Sequence, residues 1–288
     1  MRTQELAPAK INLALDILGR RADGYHELRM VMQTVSLCDV ITVEEGGTGF
    51  TLLTGEAFSL PADKVSMEQR AAEAFFAALG VPVPPLTVRL EKNIPAFAGL
   101  GGGSADVAAL LRCLRRLYAA GMPDEALRAI GLTVGSDVPF CVSGGTSLAE
   151  GRGERLTDLP PLPVCQIVLC KPDFGISTPE LFVLADEAVL SKRPDIAGLT
   201  AALQGGELTG VTDRLCNVFE EFLPERYQEV FRIKEILLAH GALNAAMSGS
   251  GPTVYGIFES AAEAQRAAEV LKKSYQQTYV AKPVKKLV

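Results

Sequence analysis

The chain has 288 residues, 48% of them hydrophobic and 22% charged. That is enough for one large domain or two lobes, and the composition excludes disordered and fibrous classes. The 28 Lys and Arg against 34 Asp and Glu leave a net charge of −6, the wrong sign for a nucleic-acid binder, although a local patch of amides and Lys can still hold an anionic small molecule.

The N-terminus reaches Glu5 before any apolar run, and Asp16 interrupts the run that follows. It therefore reads as a strand and not as a signal peptide. Ile11, Leu13, Leu15 and Ile17 alternate along residues 10–18, the period of a half-buried strand, which puts Lys10 and Asn12 together on the other face. Asp23-Gly24 marks a tight turn into a second strand. Strands are predicted over 28–37, 40–45, 50–53 and 86–91. A helix over 66–79 ends at Gly80, with Pro82 just beyond. A second helix begins near Ser104, with Val107, Leu110, Leu111, Leu114, Leu117 and Tyr118 at helical spacing, and ends at Gly121 and Pro123.

The Pro- and Leu-dense stretch 157–163 is the candidate lobe boundary, giving lobes over 1–156 and 157–288. Beyond it the pattern predicts a strand over 164–170, a helix from about Pro179, a helix over 225–240, strands over 243–247 and 253–258, and a helix over 261–273. Strands and helices without strict βαβ alternation imply an α+β class in both lobes. The six cysteines contain no C-x-x-C pair and sit in apolar surroundings, as reduced, mostly buried thiols do. With two histidines a zinc site is not expected. No apolar stretch approaches the roughly 18–20 residues of a membrane helix, so a cytoplasmic protein is expected.

The strongest chemical signal is Pro95-Ala96-Phe97-Ala98-Gly99-Leu100-Gly101-Gly102-Gly103-Ser104-Ala105-Asp106, which follows a strand and runs into a helix. Glycines there free the backbone to turn several N–H groups inward, and the helix N-terminus adds unsatisfied amides. Both suit a polyphosphate. A flexible turn with Ser104 as helix cap is the plainer alternative. No Lys follows the glycines as a P-loop requires, and the spacing is not that of a dinucleotide fold. Asp173-Phe174-Gly175 lacks the other protein-kinase motifs and is a coincidence.

This glycine loop resembles the second motif of the GHMP kinase superfamily, in the form carried by its branch acting on 4-diphosphocytidyl-2-C-methyl-D-erythritol. It differs from the commoner Gly-Leu-Gly-Ser-Ser by a second glycine before the serine. Ala7-Pro8-Ala9-Lys10-Ile11-Asn12-Leu13 is similar to the first motif, and Met247-Ser248-Gly249-Ser250-Gly251-Pro252-Thr253 to the third. Arg21–Leu28, Gly135–Phe140 and Ile176–Phe182 match further segments of that branch.

The resemblance implies a two-lobed fold with a central cleft and a reaction in which ATP phosphorylates the substrate's 2-hydroxyl, a step of the non-mevalonate route to isoprenoid precursors. Residues 95–105 would wrap the nucleotide, with Mg²⁺ riding on it and Ser104 as the hydroxyl nearest the metal. Lys10 and Asp137 would be catalytic, Asp137 as base. Asn12, Tyr25, His26, Thr178 and Phe182 would bind the acceptor, with His26 bonding the cytosine edge and Tyr25 and Phe182 offering ring faces. Taken without the resemblance, Lys10 could be a solvent-exposed lysine, Asp137 a turn residue, and Tyr25, His26 and Phe182 packing groups. Another GHMP kinase, acting on mevalonate, homoserine or a sugar, a silent ligand sensor on the same scaffold and an RNA-binding relative are the rival readings. The Asp23–His26 turn disfavours the first, the joint presence of Lys10 and Asp137 the second, and the net charge the third. The sequence leaves monomer and homodimer equally open.

Overall fold

A computed structural model describes residues 1–55 and 65–287. The elements run β1 (Arg2–Arg20), β2 (His26–Glu45), β3 (Phe50–Thr54), α1 (Met67–Leu79), β4 (Leu86–Glu91), α2 (Gly102–Tyr118), α3 (Asp124–Leu132), α4 (Val138–Ser143), β5 (Thr146–Gly151) and β6 (Arg155–Asp158). Then come β7 (Gln166–Lys171), α5 (Thr178–Glu187), α6 (Ile196–Gly205), α7 (Leu208–Thr212), β8 (Cys216–Asn217), α8 (Glu229–Ala239), β9 (Asn244–Met247), β10 (Val254–Phe258), α9 (Ala261–Lys272) and β11 (Gln277–Ala281).

Two sheets organise the α+β chain. The first has the order β3-β4-β2-β1-β8, with β5 pairing β2 and β6 pairing β5. The second has the order β11-β7-β10-β9. The segment after Asp158 carries the chain from the first to the second, but the exchange is not clean. β8 returns to pair with β1, Pro283 bridges to Val35, and Lys286 bridges to Gly144.

Local chemistry explains most boundaries. Ser66 caps α1 by accepting from the Gln69 amide at 3.0 Å, and Gly80 closes it in the left-handed conformation. α2 lies on the first sheet with Leu110, Leu111 and Leu114 fully buried, each contributing about 1.5–3 kcal/mol relative to exposure. Two expectations need correction. The strands predicted over 28–37 and 40–45 are one strand, β2, because Asp39 is a buried acceptor within it and not a break. The helix predicted over 225–240 opens as a tight 3₁₀ turn at Glu225–Tyr227 after Pro224, and α8 begins only at Glu229. α3, α4, α6, α7, β5, β6, β8 and β11 were not predicted; most are short, with too few residues to display a period.

Candidate active site

A cleft of about 1070 Å³ is lined from both halves of the chain, by β1, the 97–104 loop, Ser136-Asp137, the start of α5 and the 249–251 turn among others. Its floor is the polar side of β1. Lys10 and Asn12 share a side as expected, but a register shift between Asn12 and Ala14 interrupts the alternation and brings Leu15, expected on the opposite face, to line the cleft with Lys10. Nor is that side open to solvent: Lys10 and Asn12 are both buried beneath glycine segments. Lys10 Nζ donates to Asn12 Oδ1 at 2.9 Å and lies 3.5 Å from Asp137 Oδ2. The Asn12 carbonyl accepts from the Tyr255 hydroxyl at 2.8 Å, tying the strand to the second sheet. Asp137 stands just ahead of α4 with its side chain 30% exposed, so its carboxylate is accessible from the cleft.

The glycine loop enters α2 two residues earlier than expected. Gly101, left-handed at φ 69°, precedes the helix, so Ser104 is not the cap but lies in the first turn, lining the cleft. A Cβ at Gly101 would sit 2.9 Å from Lys10 Cγ, because the lysine stem packs directly on the loop backbone. Gly99 meets the 247–251 turn just as closely: Ser248 Oγ donates to its carbonyl at 2.9 Å. Phe97, Gly99, Gly101 and Ser104 line the cleft. Ala98, Leu100 and Ala105 face the core, and Pro95, Ala96, Gly102 and Gly103 are not among the lining residues. A glycine loop lends its amides, so side chains pointing away are compatible with wrapping an anion.

Three supports of this end went unread in the sequence. Asn217 donates to the carbonyls of Met247 and Gly249, both at 2.8 Å, and Glu220 accepts from the Met247 amide at 2.7 Å; together they set the 247–251 turn. Under the glycine loop, Lys92 bonds Asp39 and, at 2.7 Å, Asp106, while Asp39 also accepts from the Ile94 amide at 2.7 Å. Two carboxylates thus share one ammonium. Burial pushes the Asp106 carboxyl up to about 8, with the Asp39 charge adding to it and Lys92 opposing it.

In the window from roughly pH 4, where an unfolded Asp titrates, to about 8, the folded chain holds a proton that the unfolded chain has released. Stability from this group is complete below that window and falls as pH rises through it. Asp106→Asn copies the protonated form, so denaturant midpoints of the variant should vary less between pH 5 and 9 and exceed wild type at pH 9. An unchanged pH slope would show that Asp106 titrates as an ordinary carboxyl.

At the other end of the cleft, Tyr25 and His26 follow the Asp23-Gly24 turn, and α5 brings Phe182 and Asp186 across. His26 stacks on Phe182 with ring centroids 4.5 Å apart and 16° between planes, and Phe182 rests edge-on against Phe219. Part of the Phe182 face is therefore taken by His26, and Arg152 covers one face of Tyr25 at 4.6 Å. Thr178 Oγ1 lies 2.6 Å from Ser250 Oγ, which closes the space between α5 and the glycine turn. Arg20 and Arg152 also line this end, a pair of cations that sequence reasoning passed over. The arrangement offers a wet carboxylate beside a buried ammonium, backbone donors on one side, and stacked rings with cations on the other.

The chain resembles known proteins along most of its length. Residues 67–145 match the family model for the GHMP kinases N terminal domain and residues 199–277 that for the GHMP kinases C terminal domain. The chain is an ATP-dependent small-molecule kinase of the GHMP class. It is 40% identical to a 4-diphosphocytidyl-2-C-methyl-D-erythritol kinase of Caldicellulosiruptor bescii over 92% of this chain and 93% of that one, and 37% identical to the Clostridium acetobutylicum kinase of the same name over 96% and 99%. A crystal structure of 4-(cytidine 5'-diphospho)-2C-methyl-D-erythritol kinase superposes with a TM-score of 0.82 at 33% identity, covering 98% of this chain and 99% of that one. A homoserine kinase from Cytophaga hutchinsonii shares the fold, with a TM-score of 0.74 at 18% identity, covering 99% of this chain and 95% of that one. This chain belongs to the 4-diphosphocytidyl-2-C-methyl-D-erythritol kinase family. Among the described residues no helix is long and apolar enough to cross a membrane.

Proposed function

We propose that the chain transfers the γ-phosphoryl group of ATP to the 2-hydroxyl of 4-diphosphocytidyl-2-C-methyl-D-erythritol, in the cytoplasm, on the non-mevalonate route to isoprenoid precursors. The observation that carries this reading is the Lys10–Asp137 pair, 3.5 Å apart, in a cleft that runs from the glycine loop to the His26–Phe182 stack. The lobe with the phosphate loop, read from the sequence as residues 1–156, runs on to the end of β6 at Asp158, and the chain beyond supplies most of the lobe facing it.

Phosphoryl transfer needs positioning and charge stabilisation more than covalent help. Asp137 accepts the proton of the tertiary hydroxyl, its carboxylate being reachable from the cleft. Lys10 holds Asp137, is itself aimed by Asn12, and faces the negative charge that gathers on the moving group. The amides of residues 95–105 cradle the nucleotide phosphates. The Ser104 hydroxyl, in the first turn of α2 and lining the cleft, is the hard oxygen donor that would hold a nucleotide-bound Mg²⁺. A bound Mg²⁺ would neutralise phosphate charge there.

The acceptor lies toward Tyr25. Because His26 and Phe182 are stacked, a base bonded to the free edge of His26 lies parallel to Phe182, with Tyr25 as the facing ring. Arg20 and Arg152 supply the positive charge that a diphosphate seeks, and Thr178 bounds the space between the two substrates. ADP release measured with the cytidine-bearing alcohol, mevalonate, homoserine and free sugars tests the reading. Turnover should be fastest with the first; faster turnover with any other would overturn it.

A further inference from the structure

We propose that Asp186 sets the base preference of this kinase by fixing which nitrogen of His26 carries its proton. The inference rests on the reading of the Tyr25–His26 end as the base site. His26 Nε2 lies 2.8 Å from Asp186 Oδ1. An ionised carboxylate has no proton to give, so Nε2 is the donor. In the neutral ring Nδ1 is then a bare lone pair, and it makes no hydrogen bond with any described residue. Stacking on Phe182 holds the ring plane, and the bond to Asp186 holds its rotation. His26 lines the cleft, so its remaining ring nitrogen is a fixed acceptor in the cleft wall.

An acceptor discriminates between pyrimidines. The 4-amino group of cytosine donates to it, whereas the 4-oxo group of uracil would set lone pair against lone pair and leave both groups unpaired. Asp186 acts through His26 and is a positioning residue. It has a second partner, Arg20 Nη1 at 3.4 Å from Oδ2, which steadies the carboxylate without touching the imidazole. The chain's other histidine provides the contrast. His240 Nδ1 lies 2.8 Å from the Ile236 carbonyl, which can only accept, so His240 holds the opposite tautomer.

With only two histidines, the full chain labelled with ¹⁵N-histidine gives a spectrum in which both rings can be read directly. Long-range ¹H–¹⁵N correlation should show His26 protonated at Nε2 and His240 at Nδ1. In Asp186→Leu, a helix-compatible change at an exposed position of α5, the His26 pattern should move toward a mixture of tautomers. The ratio of kcat/KM for the cytidine acceptor to that for its uridine analogue should fall at least about tenfold, one hydrogen bond's share of discrimination, while KM for ATP stays constant. Asp186→Asn, whose carboxamide oxygen can still accept, should restore most of the ratio. Arg20→Gln should weaken both acceptors and leave the ratio unchanged.

A wild-type His26 protonated at Nδ1 overturns the inference. So does an unchanged ratio in Asp186→Leu when His26→Ala abolishes the preference. If His26→Ala also leaves the preference intact, the assignment of this end to the base fails, and the inference falls with it.

Discussion

Asp137→Asn should lower kcat by about 10²–10⁴-fold, the usual contribution of a positioned base, while KM for both substrates changes little. The carboxylate makes no capping hydrogen bond to α4, so the amide does not undo the helix. Lys10→Met should lower kcat on a similar scale. Its removal leaves Asn12 Oδ1 without the 2.9 Å donor, which calls for a melting curve alongside the kinetics. The double variant should lose far less than the product of the two single losses, because a lysine that orients a base has nothing to orient once the base is gone. Steady-state rates on folded variants check each part. A normal kcat in either single variant would remove that residue from the chemistry.

Gly99→Val should abolish measurable ATP binding, or weaken it by well over tenfold. Gly99 holds φ 73°, a left-handed conformation costing a branched residue about 1–2 kcal/mol. The larger obstacle is spatial: a Cβ there would overlap the backbone oxygen of Ser248 and crowd the backbone of Gly251. Backbone cannot turn aside as a lysine stem can, so the two glycine segments must separate. That separation opens the cradle while the core beneath, built on α2 and the first sheet, stays packed. Gly121→Ala is the control, since a Cβ there meets nothing within 4 Å. Calorimetric ATP titration decides the matter, and undiminished affinity in Gly99→Val would mean that the seam between the segments plays no part in holding nucleotide.

What could be read from the sequence follows the reach of each signal. The period of two along β1 put Lys10 and Asn12 on one face, and Ser66 and Gly80 bounded α1, because those patterns lie within a few consecutive residues. The glycine loop was legible for the same reason. What escaped depends on contacts between distant positions. Lys92 meets Asp39 across 53 positions, and Asp186 meets His26 across 160. In sequence each is an ordinary charged residue with every reason to be solvated. Asn217 and Glu220 likewise carry no local mark of the turn they hold, some 30 residues away. The resemblance set His26 and Phe182 around one base, and the direct stacking of the two rings was not legible, because it depends on α5 lying across the β1–β2 turn.

The phosphorus spectrum of the product tests the central claim most directly. With ATP and 4-diphosphocytidyl-2-C-methyl-D-erythritol as substrates, the account predicts ADP and one new phosphomonoester resonance, with the acceptor's own diphosphate intact. That resonance should show no three-bond coupling to a proton, because the carbon bearing a tertiary 2-hydroxyl has none. A phosphomonoester split by neighbouring protons, marking a primary or secondary hydroxyl, would contradict the account, as would ADP formed without any new phosphomonoester.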